Sequence, residues 1–340
     1  MLMSALFIGS CGGGGSDAPA AGTGTGTGTA SSALRLTATD SYATFYNTPS
    51  DTDIQTAAAK YNVIIGEGSM LSTAQVNTLL AGGKNKVLGY LNFTACEDTR
   101  DYYSFTGGAP ADPNHPGQKF KSFVQIFPNA EPYAGWSHEF WANPANLDYQ
   151  NLIVNYVAPK IAEKGFNGFF LDNVDLLEHA ASDSGKCDSA CKQGGYELLA
   201  RLRKKYPDFV IVENNATSLT TLKTQVLQYP DNAQSSKVRF IDLLDGVYAE
   251  NIYSMAVADP ASSQVASSHP QPRDPSAPNP KLDDLKAIKS AFPAVWIGVE
   301  DFVEQCTPAY ANQYNQYAGY SQRDGLALYV TALSQVLCLW

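Results

Sequence analysis

The chain has 340 residues, 44% of them hydrophobic, with 33 Asp and Glu against 23 Lys and Arg for a formal charge of −10. Beyond an N-terminal tail, that length suits one large α/β barrel or two small domains with a sizeable core. The acidic balance excludes nucleic acid, which needs a basic face, and suits a neutral or cationic partner.

Met1–Ser10 is a short apolar run, too short to span a bilayer as a helix. It ends in Ile8-Gly9-Ser10-Cys11, and a small residue before a Cys after an apolar run resembles the bacterial lipoprotein signal. There the Cys becomes the acylated first residue, so residues 1–11 are expected to be a signal segment with Cys11 as the lipidation site. Residues 12–32 are nearly all Gly, Ser, Thr, Ala and Pro, with a Gly-Thr repeat at Gly22–Thr29. They offer no apolar side chains to bury and are expected to form a disordered tether. Residues 33–340 are then one catalytic barrel, and the protein an exported cell-envelope lipoprotein whose membrane contact is the anchor alone. Cys187 and Cys191 are spaced to staple a short loop as a disulfide, which an exported compartment permits. Cys96, Cys306 and Cys338 complete an odd set whose pairing stays open.

From Ala33 onward, short β-type runs alternate with helix-type runs. The strand candidates are Ala43–Asn47, Tyr61–Ile65, Lys86–Phe93, Gly168–Asn173, Phe209–Asn215, Leu244–Asn251, Ala294–Phe302 and Gly325–Thr331. Near-continuous apolar runs suit parallel strands buried on both faces. Helical spacing appears at Leu152, Ile153, Tyr156, Val157 and Ile161, again at Tyr196, Leu199 and Leu202, and again at Leu282, Leu285, Ile288 and Phe292. The helices after the first and sixth strands are less clear. Eight strands with intervening helices predict an α/β fold, a single (β/α)8 TIM-type barrel. Two long irregular stretches, Thr94–Asn146 and Ser254–Pro280, are βα loops after the third and sixth strands, on the face where such barrels build their sites.

The strand ends carry the polar chemistry. In order they offer Tyr90 and Asn92 with Glu97 in the loop, then Asp172, Asn173 and Asp175, then Glu213, Asn214 and Asn215, then Tyr248, Glu250 and Asn251, then Glu300 and Asp301. Single Asp or Asn residues there are explained as helix N-caps, which is the reading taken for Asp175. A Glu inside Tyr-Ala-Glu-Asn is not. Paired carboxylates suit glycosidic bond cleavage, in which one acid protonates the leaving oxygen and the other attacks the anomeric carbon or activates water. Aromatic rings stack on sugars, and Trp136, Trp141, Tyr102 and Tyr103 lie in the first long loop. Asp172 and Glu250 are the candidate catalytic pair. Glu97, Trp141, Asn173, Tyr248 and Glu300 are candidate substrate-binding residues beside them. His115, His138, His179 and His269 show no metal-binding spacing, and no G-x-S-x-G occurs, so neither a zinc hydrolase nor a serine nucleophile elbow is expected and no cofactor is implied.

Gly165–Asp175, GFNGFFLDNVD, resembles the fourth-strand signature of glycoside hydrolase family 114, the endo-α-1,4-polygalactosaminidase-like barrels. Further likenesses follow in order: VLGYLN at Val87–Asn92, Glu97 and Arg100 in the loop, EFWA at Glu139–Ala142, Val212–Asn215, and GVYAEN at Gly246–Asn251. The resemblance implies Asp172 as nucleophile or base, Glu250 as general acid, and Tyr90, Asn92 and Asn214 lining the sugar site. It implies an endo-acting hydrolase of an α-1,4-galactosamine-containing exopolysaccharide, a cationic polymer that the acidic chain would attract. The alternatives are a surface lipoprotein that binds polysaccharide without cutting it, and a hydrolase of a different glycan.

Overall fold

A computed structural model describes residues 36–105, 117–133, 136–179, 187–226, 238–257, 269–332 and 334–339. The expected signal segment, the linker and Cys11 lie outside the described residues.

The runs read as strands are β1 (Tyr42–Phe45), β2 (Val63–Gly66), β3 (Lys86–Asn92), β4 (Gly168–Asp172), β5 (Val210–Asn214), β6 (Gly246–Glu250), β7 (Trp296–Val303) and β8 (Ala327–Ala332). They form one eight-stranded sheet in chain order, every neighbouring pair parallel. The Tyr42 ring of β1 meets Tyr329 of β8 at 5.8 Å, so the sheet's two ends lie side by side and curl it into a (β/α)8 barrel.

Between the strands run α1 (Asp51–Lys60), α2 (Thr73–Leu79), α3 (Leu147–Leu152), α4 (Ala158–Glu163), α5 (Ser189–Lys205), α6 (Leu219–Lys223), α7 (Pro280–Ala291) and α8 (Ala311–Asp324). A π turn at Ile153–Val157 joins α3 to α4. Helix α1 starts at a capping box, Ser50 and Asp53 bonding each other's backbone, but buries only Ile54 and Ala57. That narrow stripe is why its periodicity is weak.

Aromatic rings fill the lower barrel. Tyr248 meets Phe170 at 4.9 Å and Tyr42 at 5.7 Å, and Tyr42 meets Trp296 at 5.1 Å. Trp296 fits because its neighbours are glycines: a Cβ on Gly298 would stand 2.3 Å from its ring, and one on Gly246 2.8 Å. The floor of any site above is therefore a packed core, not a pore.

The two long loops contain more structure than their composition suggests. The first holds a three-stranded antiparallel sheet, with Trp136–Trp141 between Ala95–Glu97 and Pro132–Tyr133. The second holds a ribbon of Ser254–Val257 against His269–Pro272. Prolines and aromatics interrupt the alternation in both, which hides the strands from sequence reading. Cys187 and Cys191 form the expected disulfide; Cys306 and Cys338 form another, and Cys96 is free and buried.

Candidate active site

The strand C-termini gather at one rim. Pairing sets Asn92 beside Asp172, Asn214 beside Tyr248, and Glu250 beside Glu300. Side chains at paired positions share a face of the sheet. Three of these ends use the same local turn. Asp172, Asn214 and Glu250 are each followed by an Asn with left-handed backbone: Asn173 at φ 60°, Asn215 at φ 72° and Asn251 at φ 59°. Asn tolerates that region better than other residues with a Cβ. The turn takes the chain away from the barrel and leaves the preceding side chain at the rim.

Asn214 joins the two candidate carboxylates. Its Nδ2 donates to Asp172 Oδ1 at 2.8 Å and to Glu250 Oε1 at 3.1 Å. Asp172 also accepts from Tyr90 Oη at 2.8 Å and from the Asn173 amide at 2.9 Å. Burial pushes the Asp172 carboxyl up, and the bonds from Asn214, Tyr90 and Asn173 pull it back. Among the described residues Glu250 has one side-chain donor, Asn214. Burial first, then the charge of Asp172, pushes it up to about 7, with Lys281 opposing. Two carboxyls this close titrate as a pair, and a shared proton favours the member with fewer donors, Glu250. One protonated and one ionised carboxyl near neutrality is the chemistry that acid-assisted glycoside cleavage requires.

A third carboxyl was missed in the sequence. Glu139, on the central strand of the loop sheet, accepts at Oε1 from Asn92 Nδ2 at 2.5 Å and Asn173 Nδ2 at 2.6 Å. Burial, then the charge of Asp172, pushes it up to about 7. Its position comes from loop pairing, Glu97 opposite Glu139, which sequence spacing does not disclose.

The other predicted residues separate into rim, wall and floor. Asn92 and Asn173 are buried and bonded to each other at 3.1 Å. Glu97 joins Arg100 at 2.6 Å, Arg100 also meets Glu67 at 2.8 Å, and the guanidinium lies 5.4 Å from the Tyr90 ring. Trp141 is half-buried with its ring 4.1 Å from Tyr133. Trp136 is 63% exposed, whereas Tyr102 is buried and Tyr103 packs on Phe123 and Phe140. Tyr248 and Glu300 are fully buried in the floor; Tyr248 bonds Thr44 at 3.1 Å. Glu213 is also fully buried and accepts from the Ala216 amide at 2.9 Å. Asp175 is not the cap read from the sequence. The N-cap position of its short helix is Asn173, no side chain caps it, and Asp175 Oδ2 lies 3.7 Å from His179 Nε2. Among the described residues, no group of three or more His, Cys, Asp or Glu is arranged to hold a metal ion.

Comparison with known proteins places this barrel. No curated protein matches the chain. Among solved structures, a variant of the glycoside hydrolase domain of PelA from Pseudomonas aeruginosa superposes with a TM-score of 0.58 at 14% identity, over 87% of this chain and 97% of that one. Catalytic domain 2 of a Group II chitinase from Ostrinia furnacalis superposes with a TM-score of 0.40 at 12% identity, over 77% of this chain and 64% of that one. The PelA likeness supports the barrel fold. The family description "Glycoside-hydrolase family GH114" matches residues 27–250, which include β1 to β6, Asp172 and Glu250. The chain belongs to glycoside-hydrolase family GH114, and it is a glycoside hydrolase.

Proposed function

We propose that the protein is an endo-acting, retaining hydrolase of an α-1,4-galactosamine-containing exopolysaccharide, with Asp172 as nucleophile and Glu250 as acid and base. The observation that carries this reading is the shared amide of Asn214. The nearest oxygens of the two carboxyls, bonded to one nitrogen at 2.8 and 3.1 Å, stand less than about 6 Å apart, a close approach that favours direct attack by Asp172 over a water held between widely separated carboxyls.

In the first step Glu250 gives its proton to the glycosidic oxygen while an Asp172 oxygen attacks the anomeric carbon. The bond to the leaving sugar breaks and a glycosyl ester forms. In the second step Glu250, now ionised, takes a proton from water as that water attacks the same carbon and releases Asp172. The three donors on Asp172 favour its ionised form, and the elevated pKa of Glu250 favours its protonated form.

The cationic substrate is supported by the charge around the pair. Asp172 is held towards its ionised form by three donors, and Arg100 is already engaged by Glu67 and Glu97. With a net charge of −10, such a cleft attracts a polycation. The two disulfides support an oxidising compartment, in keeping with a signal at residues 1–11, lipidation at Cys11, a tether at 12–32 and a barrel at 33–340. Replacing Cys11 with Ser should move the protein from membrane to soluble fractions.

The test is product release from partly deacetylated α-1,4-galactosaminogalactan, sized by mass spectrometry, for wild type, Asp172→Asn and Glu250→Gln. Oligosaccharides from wild type alone support the reading. Retention of uncut polymer by folded wild type points to a binding barrel, and neither result sends the search to a wider glycan panel.

A further inference from the structure

The geometry points to Lys281 as a positioning residue that clamps the backbone of Glu250 and keeps a positive charge beside its carboxyl. This rests on Glu250 being the acid. Lys281 is the second residue of α7, after the N-cap Asn279 and Pro280. A cation in the first helical turn faces the positive end of the helix dipole, so its position there calls for local compensation. The compensation is visible. Lys281 Nζ donates to Asn215 Oδ1 at 2.6 Å and to the Glu250 carbonyl at 3.2 Å. The same Asn215 Oδ1 accepts from the Glu250 amide at 3.3 Å. Asn215 and Lys281 therefore hold Glu250 by its N–H and its C=O together.

The clamp joins three elements: the turn after β5, the end of β6 and the start of α7. It ties the returning end of the second long loop to the candidate acid. The carboxyls acting on Lys281 come from all around it: Glu250 on β6, Asp175 after β4, Glu213 on β5 and Asp301 on β7. Burial lowers the Lys281 pKa and these four carboxyls oppose that shift. Glu250 in turn feels Asp172, Asp175 and Glu300, all acidic, and bears on the hydroxyls of Tyr46, Tyr133 and Tyr248. Of the charges that act most strongly on Glu250, Lys281 is the cationic one. A positive neighbour favours the ionised form of the acid. Lys281 thus limits how far burial and Asp172 can raise Glu250, while its bonds fix where the carboxyl stands.

The experiment compares pH profiles of kcat and KM for wild type, Lys281→Gln and Lys281→Arg, with thermal melts as a folding control. Lys281→Gln keeps a donor and removes the charge. Its basic limb should move to higher pH by about half a unit or more, with kcat down about tenfold and KM within about twofold. Lys281→Arg keeps the charge, and its basic limb should stay at the wild-type position. An unmoved limb in folded Lys281→Gln overturns the proposal, as does an equal shift in both variants. If Lys281→Gln does not fold, Asn215→Gly decides: it keeps the left-handed backbone and the charge, and removes the oxygen that holds Nζ. It should lower kcat with little change in KM, and unchanged kcat overturns the proposal. Glu250→Gln separates the two claims. If that variant stays active, the assignment of the acid fails; if it is inactive while Lys281→Gln behaves as wild type, only the role of Lys281 fails.

Discussion

Glu250 and Glu300 occupy paired positions on adjacent parallel strands, yet Glu250 is half-buried at the rim and Glu300 is wholly enclosed. Both oxygens of Glu300 are buried, with Tyr248 the side-chain donor that acts on them. Burial, then the charge of Glu250, pushes Glu300 well above its ordinary value against the Tyr248 bond, and that shift favours its neutral form. Glu300→Gln should therefore lose far less activity than Glu250→Gln, and its melting temperature should fall less between pH 5 and pH 8 than that of wild type. Paired melts and rate assays on the two variants check this.

The same physics governs the whole domain. Glu139, Glu250 and Asp301 are each pushed up to about 7, with burial the largest cause. A carboxyl that binds its proton more tightly when folded stabilises the fold fully below its unfolded pKa. That contribution is lost as pH rises through the folded value. The expected outcome is a melting temperature that falls from about pH 4–5 through about pH 7–8. A melting temperature that rose over that window would show these carboxyls to be ionised in the folded state.

The spacing set by Asn214 predicts the stereochemistry. Proton NMR during early turnover should show the new reducing end with the anomeric configuration of the substrate linkage. An initially inverted product would mean that water, not Asp172, attacks the sugar.

Asn214→Ala removes a donor from both carboxylates. Both then ionise less readily, so both limbs of the rate–pH profile should move to higher pH. The loss in kcat should be about 10–100-fold, as when one positioned hydrogen bond to a charged group is removed. Rates measured from pH 4 to 9 decide it.

The two disulfides should differ in weight. Cys306–Cys338 closes a separation of 32 residues and Cys187–Cys191 one of 4. Chain-entropy arguments give about 3–4 kcal/mol for the longer loop and about 2 kcal/mol for the shorter. Denaturant unfolding of the Cys306→Ser and Cys187→Ser variants should show the larger loss in the former.

The barrel, and the place of Asp172 and Glu250 at its rim, were legible because parallel strands are apolar throughout and end abruptly in polar residues. Asp172, Asn214 and Glu250 each stand at such an end. Residues whose positions depend on long-range pairing were not legible. Glu139 reaches Asp172 only because its strand folds back against Ala95–Glu97. Lys281 reads as a surface lysine until α7 is docked against β6. Strand ends also overstate the site: Tyr248 and Glu300 have the right residue types and address but point into the packed floor.

The left-handed asparagines have a consequence for how this enzyme can change. Asn215 N bonds the Tyr248 carbonyl at 2.8 Å, and Asn251 N bonds the Glu300 carbonyl at 2.9 Å. Each strand is thus fastened to its neighbour one residue after Asn214 or Glu250, before the following loop begins. Insertions beyond those anchors need not disturb Asn214 or Glu250. Loop length and content are free to drift while the carboxylates at the rim stay where they are.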